Sequence, residues 1–165
     1  MLDINDDIKE LLKYTDLVLL DIKHIDPNKC KELVGFSNEK ELNFAHYLSD
    51  NNIDIWIRQV LIPGITDDES DLIKLKEFIN SLKTVKKFEF LKYHTMGKYK
   101  WENLNIAYGL ENIREATDED IKRAKNVLRI RLNLIRLLID IHLYIPFYLK
   151  YLQPLDFYSL SCNIL

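Results

Sequence analysis

The chain has 165 residues, 47% of them apolar and 11% aromatic, enough to bury one hydrophobic core within the size of a single domain. Charged residues make up 30% and the signs nearly cancel at a net charge of -3, so the composition lacks the basic surface that nucleic acid requires. Met1 is followed by acidic and polar residues rather than a basic and then apolar leader, which makes the cytoplasm the expected compartment. Cys30 and Cys162 are the only cysteines and lie too far apart for a CxxC zinc site, so both are expected as free thiols.

Asn5 can cap a short first helix with Ile8, Leu11 and Leu12 on one face. The run Leu17, Val18, Leu19, Leu20 before Asp21 is too short for a helix and suits a strand covered on both faces, as in parallel sheets. Asn38 and Glu41 form a candidate capping box for a helix through Leu42, Ala45 and Leu48, ended by Asp50, Asn51 and Asn52. A second strand is expected over 53–62, broken by Pro63 and Gly64. Thr66 with Glu69 gives another candidate capping box, and Leu72, Leu75, Phe78, Ile79 and Leu82 recur at helical spacing to form one apolar stripe.

A third strand is expected over 85–93, where Phe88 and Phe90 alternate with Lys87 and Glu89, a pattern for an edge or half-covered strand. Thr117, followed by Asp118, Glu119 and Asp120, starts a last helix with Ile121, Ala124 and Leu128 along one side. Strands and helices alternating over short connections predict an α/β fold of βαβ units with a parallel sheet. The remainder, 129–165, is rich in Leu, Ile and Tyr without a clean amphipathic period, and is read as a separate apolar tail with a helix as the expected element. A membrane span is disfavoured there, because Arg136, Asp140, His142 and Lys150 interrupt the apolar windows.

Asp21 and Lys23 are two residues apart at the carboxyl end of the first strand, so they point to one side of the sheet, at the end where parallel α/β proteins bind ligands. Opposite charges so placed suit a zwitterion; solvated strand-end charges are the plainer reading. Arg58 lies within the apolar strand Ile55, Trp56, Ile57, Arg58, Gln59, Val60 and must find a partner or line a cavity. His94 ends the third strand, where it could donate a hydrogen bond or exchange a proton near neutral pH.

The Asp21-x-Lys23 strand end, the Trp56-Ile57-Arg58 strand with Pro63-Gly64 and Asp67-Asp68, and Tyr93-His94 followed by Gly97-Lys98-x-Lys100-Trp101 occur in order. Together they resemble the pyruvate formate-lyase activating enzymes, over 8–128. The resemblance implies the last three strand-helix units of a partial, TIM-like barrel of the radical S-adenosylmethionine type, here residues 1–128. It implies that Asp21 and Lys23 hold the methionyl and ribose parts of S-adenosylmethionine, that the strand end around Asp21 contributes to a monovalent cation site, and that Arg58, Val60 and His94 line the cofactor pocket.

The family reaction implied is reductive cleavage of S-adenosylmethionine at a 4Fe-4S cluster, with a radical then drawn onto a glycine of a glycyl-radical enzyme of the pyruvate formate-lyase type. A flavodoxin-like electron donor is the second expected partner. The cluster ligands of the family form a CxxxCxxC loop, and no such triplet occurs in this sequence. The chain alone is therefore expected to be inactive, with no catalytic or metal-ligating residue assigned. Met1 aligns within a mid-barrel helix of the family and the tail has no counterpart there, so the chain is expected to be a C-terminal half followed by unrelated sequence. A non-catalytic half-barrel completing a separately encoded N-terminal half is the alternative. An independent Schiff-base lyase using Lys23 is opposed by Asp21, because a neighbouring carboxylate favours the protonated amine.

Overall fold

The computed structural model describes residues 4–129. The expected apolar runs become β1 (Leu17–Asp21), β2 (Asp54–Leu61) and β3 (Val85–Lys92). They form one parallel sheet in the order β1-β2-β3, with Leu20 opposite Ile57 and Ile57 opposite Phe88. Helices α1 (Asp6–Leu12), α2 (Pro27–Val34), α3 (Glu39–Asp50), α4 (Glu69–Ser81), α5 (Lys98–Asn103) and α6 (Asp118–Leu128) complete the described chain. Each crossover between neighbouring strands carries a helix, as parallel pairing requires.

The two faces of the sheet have different fates. Ile55, Ile57 and Leu61 are fully buried in one cluster with Ala45 and Leu48 of α3, Leu72, Leu75 and Ile79 of α4, and Ala124 and Leu128 of α6. On the opposite face Leu19 and Trp56 stay 50% and 36% exposed, so no helix of the described residues covers them. Residues in register share a face in a parallel sheet, which puts Asp21, Arg58 and Glu89 on this open side with Leu19, Trp56 and Lys87. The Lys87 ammonium lies 5.1 Å from the centre of the Trp56 ring there.

Local chemistry sets most element ends, though not always as expected. Asn5 caps α1 by accepting from the Ile8 N–H, and Thr117 caps α6 in a true capping box with Asp120. Leu11, however, is 62% exposed, so α1 buries Leu12 without it. Asn38 sits at the N-cap of α3 but makes no capping bond; its amide turns to the chain after β1, and Glu41 is buried instead of closing a box. At α4 the cap is Asp68, which accepts from Ser70 and Asp71 N–H groups. Thr66 is buried, its hydroxyl donating to the Val60 carbonyl and accepting from Ile62 N–H. Between them Pro63 and Gly64, φ +77°, make the turn closed by Ile65 N–H to the Ile62 carbonyl.

Helix α2 was not anticipated from apolar spacing, but its ends are written locally: Asp26 caps it, Pro27 opens it, and Gly35 closes it at φ +87°. The short α5 buries no side chain, which leaves no periodic signal to find it by. No helix of the described residues is long and apolar enough to cross a membrane. The expectation of an apolar tail over 129–165 falls, beyond Arg129, outside the described residues.

Candidate functional site

Asp21 ends β1, and its register partner on β2 is Arg58. The Arg58 Nε donates to Asp21 Oδ1 at 2.8 Å, and the Lys23 Nζ donates to Asp21 Oδ2 at 3.1 Å. One carboxylate is thus held between two cations, which answers how a charge within an apolar strand is partnered. Partial burial pushes the Asp21 carboxyl up, but the bonds and charges of Lys23 and Arg58 outweigh it and hold the carboxyl below its ordinary range. All three side chains keep about a third of their surface open, 35%, 38% and 33% for Asp21, Lys23 and Arg58, so each can still meet a ligand.

The backbone that carries Lys23 is fixed by the residues just after it. His24 is 1% exposed; its Nδ1 accepts from the Asp26 N–H at 2.9 Å, and its Nε2 faces the Ile65 carbonyl at 3.2 Å. These partners select the tautomer with the proton on Nε2. The same nitrogen is 3.7 Å from Asp71, a buried carboxylate that also receives Lys29 at 2.5 Å. Asn38 donates from its amide to the carbonyls of His24 and Ile25, each at 2.7 Å. The ring and the amide together tie the end of β1 to α3 and to the turn after β2. Neither role is legible along the chain, because a histidine among charged and apolar loop residues carries no periodic signal and an asparagine before a helix has the more common explanation of a cap.

Val60 follows Arg58 by two residues on the open face and is half-buried. His94 lies two residues beyond the end of β3, exposed, and no hydrogen bond or ion pair joins it to Asp21, Lys23 or Arg58. Its neighbourhood is the loop where Glu115 accepts from the N–H and hydroxyl of Thr95, both at 2.7 Å. Lys92, the last residue of β3, pairs with Asp118 of α6 at 2.7 Å. The structure therefore joins Asp21, Lys23 and Arg58 through hydrogen bonds, and His94 makes none to them.

A further charged knot, absent from the sequence reading, locks α6: Asp120, 2% exposed, receives Arg114 from both guanidinium ends and Arg123 at 3.0 Å. The arginine bonds and the Thr117 cap drive its carboxyl far below the ordinary range.

No protein-family model matches the chain. Among curated proteins it is 57% identical over 115 residues to the pyruvate formate-lyase-activating enzyme of Staphylococcus epidermidis, a match covering 70% of this chain and 46% of that protein. It is 56% identical over 116 residues to the enzyme of the same name from Staphylococcus aureus strain USA300, with the same coverage. This stretch is homologous to the pyruvate formate-lyase-activating enzymes. The chain spans about half the length of these activating enzymes. A crystal structure of a domain of pyruvate-formate lyase-activating enzyme from Bacteroides vulgatus superposes with a TM-score of 0.61, at 20% identity, over 76% of this chain and 69% of that one. The likeness shows a shared fold, here built on three parallel strands.

Proposed function

We propose that this chain supplies the cofactor-gripping wall, and not the cluster, of a pyruvate formate-lyase-activating enzyme. The observation that carries the reading is the Asp21 carboxylate held between Arg58 and Lys23 on the open face of the sheet. These charges fit the amino-acid end of S-adenosylmethionine: Lys23 and Arg58 offer unused N–H donors to a carboxylate, and Asp21 offers its charge to an ammonium or ribose hydroxyl. Val60 and Trp56 give the same face an apolar lining, and His94, on the loop after β3, is the further cofactor contact of this reading. When bound, S-adenosylmethionine supplies the deoxyadenosyl group that abstracts hydrogen from the target glycine. This chain's residues orient it and screen its charges.

The cluster does not fit the residues present. Among the described residues no three His, Cys, Asp or Glu side chains converge as a metal-binding group. Cys30 is fully buried, and desolvation followed by the charge of Glu41 pushes its thiol up, away from the thiolate an iron ligand needs. The chain sequence contains only one other cysteine, so a 4Fe-4S cluster must be held by a polypeptide bearing the cysteine loop. The exposed Leu19 and Trp56 and the outer edge of β1, unpaired among the described residues, favour such a complementing half as the surface's natural cover. In that arrangement the target is a glycyl-radical enzyme, the electron donor is flavodoxin-like, and the compartment is the cytoplasm.

The test is anaerobic reconstitution with iron and sulfide. The chain by itself should take up no cluster and release no deoxyadenosine. Mixed with the cysteine-bearing half of a staphylococcal relative, the pair should hold a cluster and release deoxyadenosine, and Lys23→Met with Asp21→Asn should abolish the deoxyadenosine while leaving the cluster in place. A cluster assembled on the chain alone, or complementation indifferent to both substitutions, would refute the assignment.

A further inference from the structure

A groove of about 540 Å³ opens between α2, the turn before α4 and the segment around α5, and Asp21, Lys23 and Arg58 form no part of its walls. Glu32 and Leu33 stand on one side, Asp68 on a second, and Trp101 with Tyr108 on a third. The two rings are 5.8 Å apart at 56°, and a hydrogen bond of 2.7 Å between the Tyr108 and Tyr93 hydroxyls anchors the inner one. Trp101 remains 43% exposed, with its surface turned to whatever enters.

The charges around the groove do not cancel. Lys29, also in the wall, has its ammonium 2.5 Å from Asp71 and places its charge near Asp68 as well, which leaves one cation against the carboxylates of Glu32, Asp68 and Asp71. Glu32 has no hydrogen-bond or ion-pair partner among the described residues. Asp68 uses Oδ1 for Ser70 and Asp71, leaving Oδ2 without a partner; those same bonds hold its carboxyl below the ordinary range, so it stays ionised at neutral pH. Two carboxylates with unused oxygens and an indole in the wall of one groove make a place for a flat cation.

A guanidinium meets both demands, because it stacks on an aromatic face and forks into a carboxylate, and it gives up its hydration more readily than an ammonium. Met96, Leu104 and Ile106, at 74%, 68% and 52% exposed, lie on the same segment as Trp101 and offer apolar contacts to residues flanking such a side chain. We infer that this groove binds an arginine side chain presented on an extended segment of a partner protein. The inference does not depend on the cofactor reading above.

The experiment uses the intact chain labelled with ¹⁵N-tryptophan, whose two indole signals are assigned by Trp101→Phe. A blocked Gly-Arg-Gly peptide should shift the Trp101 signal saturably and leave the Trp56 signal in place. Replacing arginine with its neutral isostere citrulline should weaken binding at least tenfold, lysine should bind several-fold more weakly than arginine, and Glu32→Gln should weaken the arginine peptide several-fold without changing the far-ultraviolet spectrum. Equal binding of citrulline, or no saturable shift at Trp101 in a folded chain, would overturn the assignment.

Discussion

Replacing Asn38 with alanine tests whether the site is held from behind. The side chain is fully buried, and its amide satisfies the carbonyls of His24 and Ile25, the residues that follow Lys23 directly. Alanine leaves two buried acceptors unpaired, each at a cost of about 1–3 kcal/mol. Part of that is returned, because Asn38 Oδ1 is itself buried without a partner, and its removal relieves a penalty of about 1–2 kcal/mol. The balance is a loss of about 2–3 kcal/mol. With a urea slope of about 2 kcal/mol/M for a domain of this size, the midpoint should fall by about 1 M. Urea unfolding followed by circular dichroism measures this, and Asn38→Asp, which exchanges the donor for a charge facing two carbonyls, should be worse. A midpoint for the alanine variant within a tenth of wild type would show that the loop after β1 is fixed by other means.

Three further outcomes follow from the same physics. Asp21 has a folded pKa below its unfolded one, so its contribution to stability is complete above the ordinary carboxylate range and is lost as pH falls through the folded value; in Asp21→Asn that portion of the acid dependence should vanish from denaturation curves taken across the range. The Tyr93 phenol, pushed up to about 12 by burial and then by its bond to Tyr108, should give a late step in a spectroscopic alkaline titration, and Tyr108→Phe should bring that step down. Leu48→Ala, at a fully buried position of α3, should cost about 2–5 kcal/mol in thermal unfolding. A cost below about 1 kcal/mol would mean that the core can collapse around the gap.

Much of this fold is legible along the chain because its causes are local. Four apolar residues before Asp21 mark a strand, though one covered on a single face because Leu19 stays exposed; Thr117 with Asp120 closes its own capping box, and the Pro63-Gly64 turn follows from fixed φ and a positive φ. The spacing of Asp21 and Lys23 on one pleat was equally local, and their hydrogen bond bears it out. What the chain order could not settle is competition for partners. Asn38 and Thr66 each stand where a capping residue is expected, yet a buried carbonyl left without a donor costs as much as a lost cap. Both side chains turn to the carbonyls that packing strips of water. Arg58 finds Asp21 through the β1-β2 register, and His24 meets Ile65 from forty-one residues away in sequence; the tertiary structure alone decides such pairs, because only the closed sheet sets which polar groups are buried side by side.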